Sequence, residues 1–172
     1  MNHSQSARSV RDRSSVTFEH TVHCGDEMRW SSLQVLAALH AWLRPGCTGA
    51  EIHRYVLDET ARRGWQPAWS PDHCPVITIG PVAAMGHTPP GAEALLPGQV
   101  MQFDFGVRRE GYCSDLQRMW YCPRPGETDA PPELRRLFET IQRGIRTAAN
   151  DLRPGNPSWL PAASAHQVLI DA

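Results

Sequence analysis

The spacing of hydrophobic residues predicts two helices in the first part of the chain. Apolar side chains recur mostly at three- and four-residue steps over residues 28–43, and the Arg-Pro-Gly segment at 44–46 ends the predicted helix. A second helix is predicted to begin at Thr48, because Glu51 three residues later completes a capping-box pattern. Helical spacing then continues to Gly64, which supplies the expected end.

A different pattern, typical of strands, follows in the middle of the chain. Val76–Ile79 is short, β-branched and bounded by Pro and Gly, and residues 80–97 are predicted to form a long loop. Two further strand-like segments, 99–107 and 112–121, are separated by a short polar link with a glycine, which is a hairpin signal. The pattern therefore predicts an antiparallel sheet packed by amphipathic helices, which is the α+β class.

The longest helix is predicted to begin at Pro131-Pro132 and to continue for about five turns. It ends in Leu-Arg-Pro-Gly at 152–155, and the same four residues end the first helix at 43–46. Each copy closes an apolar-striped helix and leads into another helical start, which suggests an internal duplication. The second copy lies near the end of the sequence, so we expect the second repeat to be incomplete.

Composition favours one globular domain and removes several classes of function. The 172 residues are 41% hydrophobic and 20% charged. All 17 basic residues are Arg, which excludes Schiff-base and phosphate-loop lysines. The net charge of -1 disfavours nucleic-acid and anionic-membrane partners. Residues 1–18, rich in Ser and Arg, are predicted to be a disordered tail before a single domain at 19–172.

The chain lacks the patterns of a secreted or membrane protein. It has no run of 18 apolar residues and no secretory signal, so we expect a cytoplasmic protein. Its five cysteines are odd in number and contain no Cys-x-x-Cys pair, so we expect reduced thiols without a metal role.

Two aspartates on the predicted hairpin are the sharpest candidates for chemistry. A turn centred between Arg109 and Glu110 would make Asp104 and Asp115 direct cross-strand partners, with Cβ atoms about 4.5–5.5 Å apart. Two ionised carboxylates at that separation repel, and a divalent cation, a shared proton or a salt bridge to Arg118 would relieve the repulsion. The alternative is that one aspartate caps the turn or pairs with a neighbouring arginine on the surface.

His87 is the histidine whose setting is most suggestive. It lies in a loop segment, Gly-His-Thr-Pro-Pro, where an imidazole would bind metal, donate to a substrate carbonyl or transfer a proton, although a loop histidine is often an ordinary surface residue. The chain has neither a Gly-x-Ser-x-Gly elbow nor a His-Glu-x-x-His helix, which disfavours those hydrolase classes.

Four segments taken together resemble the pita-bread metallopeptidases, the family of methionine aminopeptidase, aminopeptidase P, prolidase and creatinase. They are Gly-His-Thr-Pro-Pro at 86–90, Leu-Pro-Gly at 96–98, Phe-Asp-Phe-Gly at 103–106 and Gly-Tyr-Cys-Ser-Asp-Leu-Gln-Arg at 111–118. The resemblance is nearer to the Xaa-Pro peptidase branch. It implies a fold of two related halves, with residues 28–172 matching the first.

The resemblance also implies a mechanism and site residues. Asp104 and Asp115 would be ligands of a centre of two divalent ions, Mn, Co or Zn, and His87 would contact the substrate near the scissile bond. The substrate would be a peptide, cleaved at an N-terminal peptide bond. The family's remaining ligands, a histidine and two glutamates, belong to the second half, so we expect a truncated enzyme that is weakly active or inactive.

Two other hypotheses stay open at this point. The chain would be a non-catalytic pita-bread-like binding module or pseudoenzyme, whose exposed apolar surface a homodimer would cover. It would otherwise be an unrelated α+β domain in which the aspartate pair is structural.

Overall fold

The computed structural model of the chain describes residues 16–21, 26–80 and 89–172, and describes side chains from residue 29 onward. It contains helices and antiparallel strands, as the sequence predicts. The elements in chain order are β1 (Val16–Thr21), α1 (Asp26–Trp42), α2 (Gly49–Arg62), β2 (Gln66–Pro67), β3 (Val76–Ile79), β4 (Val100–Phe105), β5 (Val107–Arg109), β6 (Tyr112–Cys113), β7 (Leu116–Tyr121), α3 (Pro132–Asp151) and α4 (Leu160–Ile170).

The start of the fold differs from the sequence prediction. Strand β1 begins at Val16, so the boundary expected between residues 18 and 19 falls inside a strand. This strand pairs with β7, far along the chain, and a partner at that distance leaves no local signal in the sequence. The rest of the predicted tail, residues 1–15, lies outside the described residues.

The strands form two antiparallel sheets that share one hairpin. The larger sheet has the order β1-β7-β4-β3, and the smaller has the order β2-β5-β6. The predicted strand at 76–79 is confirmed as β3. The predicted strands at 99–107 and 112–121 are each divided, because the chain passes from one sheet to the other at Gly106 and again at Ser114 and Asp115.

Helices α1 and α2 cover one face of the larger sheet. The capping box that begins α2 is confirmed: the Thr48 amide donates to Glu51 at 2.8 Å, and the Glu51 amide donates to the Thr48 hydroxyl at 3.2 Å. In the core, apolar residues of both helices pack against alternate residues of the central strands. Within the sheet, the rings of Phe103 and Trp120 meet edge to face, with centroids 5.6 Å apart. Its largest buried members are Val35, Leu39, Ile52, Val56, Met101, Phe103, Phe105, Leu116 and Trp120.

The two Leu-Arg-Pro-Gly segments have the same structural role. Each joins two helices, α1 to α2 and α3 to α4, and the glycines Gly46 and Gly155 both have φ of +92°. The two helix pairs differ in burial. Helix α3 packs against α4, yet only Phe138 and Gly144 of α3 are buried and no residue of α4 is. An apolar surface therefore stays exposed on this pair within the described structure, comprising Leu137, Ile141, Leu152, Trp159, Leu169 and Ile170.

The register of the hairpin corrects one sequence prediction. Asp104 lies opposite Gln117, and Asp115 is not its direct partner. Glu110 and Gly111 have φ of +52° and +83°, the signature of a two-residue type I′ turn. The turn is therefore centred between Glu110 and Gly111, one residue later than predicted, which shifts each cross-strand partner by two residues. A shift of two keeps both aspartates on one face of the sheet.

The two strands of the hairpin approach closely at Gly106. A Cβ atom there would lie 1.9 Å from the carbonyl oxygen of Ser114 and 2.8 Å from the Cβ of Ala68. Only a glycine fits such an approach. The close approach coincides with the point at which both strands pass from the larger sheet to the smaller one.

Two buried serines tie this part of the hairpin to α1. The Ser114 hydroxyl accepts a hydrogen bond from the Val107 amide at 2.8 Å and lies 2.5 Å from the Ser32 hydroxyl. Ser32 and Ser114 are both almost completely buried. The residue directly before Asp115 is therefore fixed to the helix behind the sheet.

We expect Gly106→Ala to destabilise the protein by about 1–3 kcal/mol, the usual cost of overpacking, because the new methyl group meets backbone that has no room to move. Urea unfolding measures the loss. Gly144→Ala is the matched control: its Cβ would lie 3.4 Å from the nearest atom, and alanine favours a helix interior by up to about 1 kcal/mol. Equal unfolding midpoints for the two variants would contradict the steric argument.

We expect Ser114→Ala to cost about 1–3 kcal/mol, because it leaves the buried Val107 amide and Ser32 hydroxyl without their partner. Ser32→Ala removes only one of these bonds and should cost less. A double-mutant cycle in urea should show a coupling of about 0.5 kcal/mol or more. Additive effects of the two substitutions would argue against the tie between hairpin and helix.

Candidate metal centre

Asp104 and Asp115 lie on the sheet face that points away from α1 and α2. Asp104 is half-buried on β4, and Asp115 is exposed directly before β7. Alternation along the strands puts Phe103 and Leu116 on the helix side and both aspartates on the other side. In the observed register the two aspartates are diagonal neighbours, a relation with a typical separation of about 7–8 Å. Their repulsion is therefore weaker than in the direct pairing predicted from the sequence.

Gln117 is the neighbour of Asp104 that sequence reasoning did not place in the site. Its side-chain amide lies directly across from Asp104 and donates to Oδ2 at 3.3 Å, and Oδ1 is buried. Gln117 thus orients one carboxylate oxygen from the neighbouring strand. The signal that would have identified it is its position two residues after Asp115, on the same face of the hairpin.

The arginines near the hairpin have other settings. Arg118 lies opposite Phe103, on the helix side of the sheet, and its guanidinium donates to the Gln117 carbonyl at 2.8 Å. Arg108 donates to Gln66 at 2.9 Å, and Arg109 pairs with Glu110 at 3.1 Å. The register therefore disfavours a salt bridge from Arg118 to Asp104, and Arg108 and Arg109 pair with Gln66 and Glu110.

The thiol of Cys74 lies close enough to Asp104 to be influenced by its charge. Cys74 is buried and donates from Sγ to the Gly106 carbonyl at 3.4 Å. Burial raises the pKa of the Cys74 thiol, and the negative charge of Asp104 raises it further. The thiol therefore stays protonated at neutral pH and does not compete with the carboxylates as an anionic ligand. Cys47, Cys113 and Cys122 are also free thiols.

The donor chemistry of the two aspartates fits a divalent cation. Carboxylate oxygens are ligands for Mn, Co and Zn ions, and both aspartates present theirs from one face. Two carboxylates fill only part of a coordination shell of about four to six positions. Within residues 29–80 and 89–172, no three side chains of His, Cys, Asp or Glu are grouped closely enough to hold an ion. His87, the predicted substrate contact, lies outside the described residues.

Within the described part of the chain, none of the helices combines the length and the apolar character needed to cross a bilayer.

Comparison with solved structures gives the fold. The chain is similar to the X-Pro aminopeptidase of Thermotoga maritima MSB8, with a TM-score of 0.73 and 19% identity over 84% of this chain and 39% of that one. It is similar to the dipeptidase PepE of Mycobacterium ulcerans, with a TM-score of 0.72 and 25% identity over 84% of this chain and 37% of that one. These similarities confirm the predicted α+β class and the first half of a pita-bread fold.

Comparison with curated sequences gives the extent of the match. YkvY of Bacillus subtilis (strain 168) is 26% identical over 115 residues, which are 67% of this chain and 30% of that protein. The chain therefore spans about a third of the length of the curated relatives it matches.

The family follows from a match over most of the chain. The model of metallopeptidase family M24 matches residues 31–172, which include both hairpin aspartates and the Gly-Tyr-Cys-Ser-Asp-Leu-Gln-Arg segment. The chain therefore belongs to metallopeptidase family M24.

Proposed function

We propose that the chain carries part of the active site of a dinuclear metallopeptidase that cleaves an N-terminal peptide bond. The observation that carries the proposal is that Asp104 and Asp115 share one face of a sheet in a chain of a metallopeptidase family. Both would act as metal ligands. A bound pair of divalent ions would lower the pKa of a water molecule and polarise the scissile carbonyl.

The surrounding residues support this assignment by holding the two carboxylates in place. Gln117 donates to Asp104 and orients it. The hydrogen bonds of Ser114 to Val107 and Ser32 fix the backbone directly before Asp115. Such partners of metal ligands commonly change metal affinity by about 10–100-fold when they are removed. The described contacts thus supply the orientation that a metal site needs.

We propose His87 as the residue that contacts the substrate near the scissile bond. The proposal rests on its place in the Gly-His-Thr-Pro-Pro segment and on the resemblance of that segment to the pita-bread peptidases. A side chain in this role would donate to the developing negative charge on the substrate carbonyl, and it would not be needed to hold the metal.

The proposed substrates are short peptides, with proline after the cleaved bond as the first candidates. The support is that the similar structures include an X-Pro aminopeptidase and a dipeptidase. The two assigned carboxylates are fewer than the five protein ligands that the family resemblance implies. We therefore propose that the 172-residue chain alone binds metal weakly and hydrolyses peptides slowly, in the cytoplasm.

A second candidate function is a non-catalytic binding module. The observation that favours it is the exposed apolar surface of α3 and α4, which includes Trp159 at 65% exposure and Leu137 at 63%. A homodimer would cover this surface. Size-exclusion chromatography with light scattering separates the possibilities, because a clean monomer that binds metal favours the peptidase.

We expect Asp104→Asn and Asp115→Asn each to weaken binding of Mn, Co or Zn ions at least roughly tenfold in calorimetric titration, because each removes an anionic ligand. Asp58→Asn, an exposed carboxylate on α2, is the matched control and should keep the wild-type affinity. His87→Ala should also keep it. If the wild-type chain binds none of these ions, or if Asp58→Asn loses as much affinity, the two aspartates are not the ligands.

We expect hydrolysis of an Xaa-Pro dipeptide by the chain at less than about 1 turnover per second, below the ordinary range of enzymes. The reason is that a water held by an incomplete ligand set is poorly activated. Steady-state kinetics at saturating metal measures the rate. Faster turnover that Asp104→Asn abolishes would overturn the expected weak activity and would support the metal role.

A further inference from the structure

A cavity lies at the opposite end of β7 from Asp115. It has a volume of about 360 Å³ and is formed by the end of α1, the loop before β4 and the segment after β7. Asp115 precedes the first residue of β7, whereas the cavity contacts its last two residues, Trp120 and Tyr121. Six strand residues span about 17–20 Å. The cavity is therefore separate from the candidate metal centre.

The cavity has a mixed lining of apolar and charged side chains and a rim rich in proline. Half-buried Leu43 provides apolar surface, whereas Leu95 and Trp120 are each 2% exposed and contribute little. Proline contributes four further lining residues, whose fixed φ angles limit movement of the rim: Pro45, Pro97, Pro123 and Pro125. A preformed cavity of this size falls at the small end of the range of about 300–1,000 Å³ typical of small-molecule sites.

The one carboxylate in the lining, Glu127, already has hydrogen-bond and ion-pair partners. Glu127 accepts hydrogen bonds from the Tyr121 hydroxyl at 2.7 Å and from the Arg124 amide at 2.8 Å, and it pairs with the Arg124 guanidinium at 3.2 Å. These bonds lower the pKa of Glu127, so it is ionised at neutral pH. Its charge is balanced by Arg124, and the pair contributes no net charge to the cavity.

Arg44 is the other arginine in the lining, and no carboxylate pairs with it in the described part of the chain. Its guanidinium lies 5.3 Å from the centre of the Trp42 ring, and Arg44 forms no ion pair with any side chain in the described part of the chain. Arg44 lowers the pKa of Glu51 only as a minor cause, after the hydrogen bonds from Thr48. The two arginines and one glutamate of the lining leave one positive charge.

His40 adds a second donor on the same side. The Trp120 indole donates to His40 Nδ1 at 3.3 Å, and an indole N–H cannot accept a hydrogen bond. In the neutral ring the proton of His40 is therefore on Nε2, which leaves that N–H to serve as a donor. His40 lies in the last turn of α1 and Arg44 two residues beyond its end, and both line the cavity, so one anion there can contact both.

We propose that this cavity binds a small monocarboxylate with an apolar body, at a site distinct from the metal centre. The carboxylate pairs with Arg44 and accepts from His40, and the apolar body packs on Leu43 and the prolines of the rim. An amine is a poorer ligand because Glu127 is occupied by Arg124 and Tyr121. The proposal goes beyond the peptidase and does not depend on it.

The test uses three probes of one shape: 3-phenylpropionate, its neutral amide and 3-phenylpropylamine. We expect calorimetric titration of the wild-type chain to show binding of the carboxylate at least about tenfold tighter than that of the amide, since a charge-assisted bond is replaced by a neutral one. The amine should bind more weakly than the amide. In nitrogen-15 NMR spectra, the Trp120 indole N–H signal should shift with the carboxylate, because it bonds His40.

Variants separate a built site from general hydrophobic binding. Arg44→Gln should abolish the preference for the carboxylate over the amide, and Arg54→Gln, an exposed arginine on α2, should keep it. Ala41→Trp, at an exposed lining position, should block all three probes without disturbing the core. Asp104→Asn should leave the affinity unchanged, so loss of the metal centre and loss of this site are distinguishable. Equal affinities for the carboxylate and the amide, unchanged binding by Arg44→Gln, or no saturation by the carboxylate would each overturn the proposal.

Discussion

The contact between the backbones at Gly106 and Ser114 is the constraint on which the rest of the hairpin depends. No side chain fits between Gly106 and the Ser114 carbonyl, so the two strands touch there and cross together from the larger sheet to the smaller. At the same point the Ser114 hydroxyl accepts from the Val107 amide and so substitutes for a carbonyl of the ladder. The interruption leaves the next residue, Asp115, exposed on the open face.

The two faces of the larger sheet differ in polarity, because helices α1 and α2 cover only one of them. Helices α1 and α2 keep the side bearing Phe103 and Leu116 dry, whereas the other side bears amides and carboxylates. On the polar side an amide, Gln117, lies directly across from Asp104 and two residues after Asp115. This arrangement keeps two negative charges near each other at lower cost than direct pairing, because a donor faces Asp104 and the second carboxylate is solvated.

The parts of this structure that the sequence predicts are those set by neighbouring residues. The capping box at Thr48, the strand at Val76–Ile79 and the proline start of α3 depend on local chemistry, and all three are present. The hairpin register could not be predicted, because it depends on Glu110, a residue that rarely has positive φ, taking the first turn position. The break at Gly106 depends on Ala68 and Ser114, which are distant in sequence. The same holds for the bond between His40 and Trp120 that shapes the cavity.

The long-range pairing of β1 with β7 affects the order in which parts of the protein fold. Strand β1 is synthesised before β7, its partner in the larger sheet, and Val16 pairs with Tyr121, the last residue of β7. This pair of strands therefore forms only after Tyr121 has left the ribosome. Closing so long a loop is entropically costly and slow. Helices α1 and α2 are neighbours along the chain and contact each other, so they can pack together before β7 is available to pair with β1.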